Sequence, residues 1–158
     1  MLERMFLEDI PLGHKTTLGS YCFTEKNIIK FARAFDPQPF HIDPEAAKDS
    51  PYGGLTASGW HTAAVWMKLM VAHRYAQIAT GMAATQENYL SPGVRELKWI
   101  RPVRPGTTLT YTTEPFNKKD WPTRPAIGLL QSMNEARDEE ERLYYSFISQ
   151  VFIAKKPV

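Results

Sequence analysis

The sequence predicts an α+β fold in which an antiparallel β-sheet curves around one long helix. Three features of the 158-residue chain lead there. The first half shows helical periodicity and the second half strand alternation. Between them a segment from about Gly59 to Ala79 is apolar on nearly every side, which calls for something wrapped around it. No repeat, low-complexity tract or long linker intervenes, so residues 1–158 are expected to form one domain.

The elements follow in chain order. His14 to Phe23 is expected to supply an early strand. Thr24 then caps a helix whose apolar positions Ile28, Phe31, Ala32 and Phe35 fall at i, i+3, i+4 and i+7. Pro37 disfavours the α region for Asp36 and ends this helix, and Pro39 does the same to Gln38. Asp36 to His41 is therefore expected to be a short, largely extended bridge. Asp43 and Pro44 read as N-cap and first residue of a second helix, which Tyr52-Gly53-Gly54 separates from the long one. Ser58 is the expected N-cap of that helix. At 1.5 Å per residue it reaches roughly 30 Å, comparable with the diameter of a small domain, so a course through the middle is expected. Four strands complete the set: Val94 to Ile100, Thr107 to Thr113, Ala126 to Met133 and Arg142 to Ala154. In the last, Leu143, Tyr145, Phe147, Val151 and Ile153 line one face, while Tyr144, Ile148 and Phe152 make the other partly apolar, a surface that a partner subunit can cover.

Composition narrows the function classes. With 43% hydrophobic and 23% charged residues the chain reads as a soluble globular protein. Its formal charge of +2 without a basic run argues against nucleic acid. Cys22, the single cysteine, offers neither an intrachain disulfide nor a metal cluster, which suits a reducing cytosol. The N-terminal MLERMFLEDI carries Glu3, Arg4, Glu8 and Asp9 among its apolar residues, unlike a signal peptide. No apolar run reaches the roughly 18 residues of a membrane span, so a cytoplasmic location is expected.

The most informative stretch is Phe31 to Ala47, FARAFDPQPFHIDPEAA. It places Asp36 and His41 on a proline-stiffened bridge anchored by a helix at either end, an arrangement suited to paired proton transfer. The neighbouring groups have simpler readings. Asp43 is better explained as a cap than as a catalyst. His61 and His73 read as satisfied core or edge histidines. A metal site from Asp36, His41 and Asp43 lacks a distinctive spacing, and a triad of Ser58, His61 and Asp36 lacks a nucleophile elbow. No metal is therefore expected.

Three segments, DPQPFHIDPEAA, YGGLTASGWHTA and GVRELKWIRPVRPG, together resemble the MaoC-like dehydratases and (R)-specific enoyl-CoA hydratases. The resemblance implies a hot dog fold, pairing of domains into at least a homodimer, and catalytic roles for Asp36 and His41. It also implies a backbone N–H donor at Gly59, the glycine opening the long helix, where unpaired amides and the helix dipole favour an anion. The implied reaction is reversible hydration of a trans-2-enoyl-CoA to a 3-hydroxyacyl-CoA, with coenzyme A entering as part of the substrate and no separate cofactor. Arg101 or Arg104 are candidates for the coenzyme A phosphates. The chain departs from the family pattern at Phe35, where glycine is frequent, and at Gln38, where asparagine is frequent. Two other functions fit the fold: a hot dog thioesterase, against which the pairing of His41 with Asp36 speaks, and a catalytically silent acyl-CoA-binding module.

Overall fold

The computed structural model describes residues 5–81 and 90–157; Glu3 and Arg4 of the N-terminal segment lie outside them. A short 3-10 turn at Leu7–Asp9 precedes β1 (Thr16–Phe23), α1 (Glu25–Phe35), α2 (Pro39–Ile42), α3 (Pro44–Lys48) and α4 (Gly59–Ala79). The strands β2 (Gly93–Trp99), β3 (Thr107–Asp120), β4 (Ile127–Arg137) and β5 (Leu143–Ala154) follow. All five strands form one antiparallel sheet in the order β1-β3-β4-β5-β2.

Local chemistry explains the helix boundaries. The Thr24 hydroxyl accepts the Asn27 N–H at 3.2 Å, and the Asp43 carboxylate accepts the amides of Glu45 and Ala46 at 2.9 and 3.3 Å, so both expected caps are in place. The bridge between them differs from its expected extended form. Gln38 is extended, at φ −73° and ψ 143°, but Pro39 then opens a single helical turn that carries His41. Proline has the φ and the missing N–H that suit a first helical residue, and this local preference prevails. The turn folds His41 back towards Asp36 instead of spacing the two along a strand.

Inward-facing residues of the sheet, one side of α4 and the buried stripe of α1 make the core, with Phe23, Ile28, Val65, Trp66, Leu109, Tyr111, Tyr145 and Phe147 all buried. Two polar links fix α4 against the strands. The Tyr111 hydroxyl donates to the Thr62 carbonyl at 3.0 Å, and the Trp66 indole N–H donates to Asn134 at 3.1 Å. Asn134 in turn donates to the Ser132 carbonyl and the Ser149 hydroxyl, so this wholly buried amide is satisfied.

Three expectations need correction. The long helix is not covered on every side: Trp60, Met67, Val71 and Tyr75 remain exposed on the side opposite Val65 and Trp66, because the sheet covers one face only. Strand β3 does not stop at Thr113. It continues through Pro115 to Asp120: Pro115 stays opposite Ser132, and a bulge directly after it leaves Phe116 without a partner in the register. Phe35, expected on the apolar stripe of α1, is also exposed, although its ring rests on Phe31 at 5.1 Å.

Candidate active site

Asp36 ends α1 at φ −153° and ψ 68°, a conformation compatible with the following proline, and points its carboxylate towards the start of α4. His41, only 6% exposed, stands on α2 with Nε2 at 3.4 Å from Asp36 Oδ2. Its other ring nitrogen, Nδ1, lies 2.6 Å from the Thr56 carbonyl and 3.3 Å from the Thr56 hydroxyl. A carbonyl can only accept, so Nδ1 carries a proton, and Nε2 is the ring nitrogen that faces the carboxylate.

Both carboxylate oxygens have donors. The Gln38 side-chain amide donates to Oδ1 at 2.7 Å, and the Ser58 hydroxyl donates to Oδ2 at 2.6 Å. Burial pushes the Asp36 carboxyl up, but these two hydrogen bonds and the neighbouring His41 outweigh it and hold the group below its ordinary value. The sequence identified Ser58 as a helix cap, and its Oγ does accept the Trp60 N–H at 3.2 Å. The contact with Asp36, 22 residues away, had no local signal.

A cavity of about 440 Å³ opens over the pair. Asp36, His41 and Gly59 lie on its wall together with Trp60, Trp99 and Arg101. Gly59 is the first residue of α4, so its N–H belongs to the unpaired first turn. Trp99 explains why a glycine stands there: its indole N–H donates to the Gly59 carbonyl at 2.9 Å, and its ring lies flush against the Gly59 Cα. A Cβ at this position would come within 2.5 Å of Trp99 Cε2. Gly59→Ala is therefore expected to push the indole aside, break its hydrogen bond and destabilise the fold by about 1 to 2 kcal/mol, as read by urea unfolding. Trp99 is half exposed and able to swing outwards, which keeps the penalty moderate. An unchanged unfolding midpoint would show that the contact is not tight.

Arg101 is exposed at the cavity wall, whereas the Arg104 guanidinium donates to the Tyr52 carbonyl and lies against Gly54, bracing the turn before α4. His61 is directed away from the cavity. It is 4% exposed, stacked on Phe31 at 4.5 Å and edge-on to Phe23 at 4.9 Å, and its Nδ1 has no hydrogen-bond partner. It is thus a core histidine as expected, but not a satisfied one. Among the described residues, no three His, Cys, Asp or Glu side chains are grouped to hold a metal ion, and no helix is long and apolar enough to cross a membrane.

An antiparallel sheet laid over one long helix is the hot dog fold, and here it presents a buried Asp–His pair consistent with the catalytic dyad of hydratase and dehydratase chemistry. Residues 11–128 match the model of the MaoC like domain, and the chain belongs to that family. A MaoC-like dehydratase from Rhodospirillum rubrum is 31% identical, superposes with a TM-score of 0.79, and matches over 98% of this chain and 99% of its own. The monoamine oxidase regulatory protein from Archaeoglobus fulgius shares the fold at a TM-score of 0.82 and 23% identity, over 99% of both chains. An uncharacterized protein of Bacillus subtilis, YdeM, is 28% identical over 137 residues, which cover 87% of this chain and 90% of the relative.

Proposed function

We propose that the protein is a hydro-lyase that reversibly hydrates a trans-2-enoyl-CoA to a 3-hydroxyacyl-CoA, with R configuration by analogy with the hydratases it resembles. The observation that carries this reading is the 3.4 Å approach of His41 Nε2 to Asp36 Oδ2 on the wall of a cavity shared with Gly59. With Nδ1 protonated by its bond to Thr56, Nε2 and Oδ2 are both acceptors, and the substrate water can donate one O–H to each. The water oxygen attacks Cβ as its proton passes to the dyad, and a proton returns from the dyad to Cα on the same face. Water is thereby added across the double bond with no net proton gained or lost. The Gly59 N–H is the donor for negative charge developing on the thioester oxygen. Glycine lets the thioester approach the backbone closely.

Arg101, at the cavity wall, is the better placed of the two arginines to meet a coenzyme A phosphate, while Arg104 supports the neighbouring turn. No cofactor is required beyond the coenzyme A of the substrate. The proposed unit is a single domain spanning residues 1–158, acting in the cytoplasm as a homodimer or higher homo-oligomer. The exposed apolar side of α4 and the sheet edges at β1 and β2 favour such pairing, and neither nucleic acid nor membrane is expected as a partner.

Crotonyl-CoA tests the reaction. Hydration is expected to remove the enoyl absorbance without releasing free thiol. Thiol release would replace this reading with a thioesterase, and ligand-induced stabilisation without either signal, repeated with longer and branched enoyl-CoAs, would replace it with a silent acyl-CoA binder.

A further inference from the structure

Ser58 has no solvent exposure and does not line the cavity, so it does not touch the substrate. Its oxygen accepts the Trp60 amide at 3.2 Å, and its own proton is given to Asp36 Oδ2 at 2.6 Å. The hydroxyl therefore links the positive end of α4 to the carboxylate in a chain of one-way donors. We infer that Ser58 is a positioning residue that holds Asp36 in a single rotamer and in its ionised form, leaving His41 as the group that carries the proton from water to Cα. This assignment of roles rests on the hydration reading of the site.

Ser58 donates to Oδ2 and Gln38 to Oδ1, and both bonds are stronger to the carboxylate than to the acid, so a proton placed on the remaining lone pair of Asp36 weakens them. For Ser58 to accept that proton, its oxygen would have to accept from Trp60 and from Asp36 together. Its own proton would then need a new acceptor in a place closed to solvent. No comparable lock acts on His41. The Thr56 carbonyl fixes Nδ1–H and leaves Nε2 free to take a proton, and the imidazolium so formed faces a fixed carboxylate. The water proton then resides on His41 Nε2 between O–H cleavage and C–H formation, with Asp36 ionised throughout.

The test is a pair of double-mutant cycles with Ser58→Ala and Asp36→Asn, one on kcat and KM for crotonyl-CoA and one on the melting temperature. Ser58→Ala is expected to lower kcat about tenfold with KM held within about twofold, and to cost no more than about twofold in the Asp36→Asn background. Ser58→Gly should match Ser58→Ala in kcat, because glycine is an acceptable N-cap but lacks the hydroxyl. Equal kcat losses in both backgrounds, or a loss confined to the alanine variant, would overturn the inference and leave Ser58 a helix cap. The melting cycle needs no turnover. Ser58→Ala should lower the melting temperature by several degrees more when Asp36 is intact than in the Asp36→Asn background, and equal shifts would remove the coupling on which the inference stands. If crotonyl-CoA and longer or branched enoyl-CoAs are not hydrated, the hydration reading and the role of His41 fail, while the melting cycle still decides whether Ser58 holds Asp36.

Discussion

Asp36→Asn and His41→Gln are each expected to lower turnover of crotonyl-CoA by at least about tenfold, and by as much as about 10² to 10⁴ where a full proton transfer is lost. Neither change removes much volume, so the fold should persist. The two variants are expected to fail differently. His41→Gln removes the only ring nitrogen able to take and return a proton, although a glutamine can still reach the Thr56 carbonyl. Asp36→Asn keeps the shape but replaces an acceptor with an amide, which leaves Ser58 and Gln38 donating towards a group that can no longer accept from both sides. The asparagine variant should therefore lose stability as well as rate, whereas the glutamine variant loses chiefly rate. Steady-state kinetics with unfolding curves on the same samples separate these effects. Wild-type kcat in both variants would remove the dyad from the mechanism, whatever the distance between the side chains.

These groups differed in how far the chain announced them. Asp36 and His41 were legible because the backbone features that carry them lie within a dozen residues: two prolines, a helix end and the Asp43 cap. Gly59 and Ser58 were legible as the start of a helix for the same reason. What joins the two regions was not. The Ser58–Asp36 and Trp99–Gly59 contacts span 22 and 40 residues, and depend on how α4 settles against the bridge and on where β2 runs along the sheet edge. Helix propensity at a first-position proline likewise outweighed the extended geometry inferred from the residue before it. The apolar circumference of α4 told how much surface needs cover, but one chain's sheet supplies that cover on one side only. A sequence records the requirement for burial without recording which partner meets it.

His61 should make the fold acid-sensitive in a window that its environment defines. Enclosed by the rings of Tyr21, Phe23 and Phe31, its imidazole is pushed down to about 4 by burial, from an ordinary value of 6.5. The unfolded chain therefore binds a proton near pH 6.5 that the folded chain refuses until about pH 4, and stability falls as pH drops through that interval. The gap corresponds to at most about 3 kcal/mol. Asp36 adds a loss of the same sign but at lower pH, because its depressed carboxyl contributes stability above the ordinary carboxylate range and loses it as protonation reaches the folded state. The two contributions are separable. His61→Phe keeps an aromatic ring against Phe31 and removes both the titrating group and the unpartnered Nδ1. Between about pH 7 and pH 4.5 the wild type is expected to lose about 2 kcal/mol more than His61→Phe in urea unfolding, with the remaining carboxylate titrations common to both. Parallel stability curves would mean that water reaches the ring and that the aromatic enclosure does not exclude the charged form.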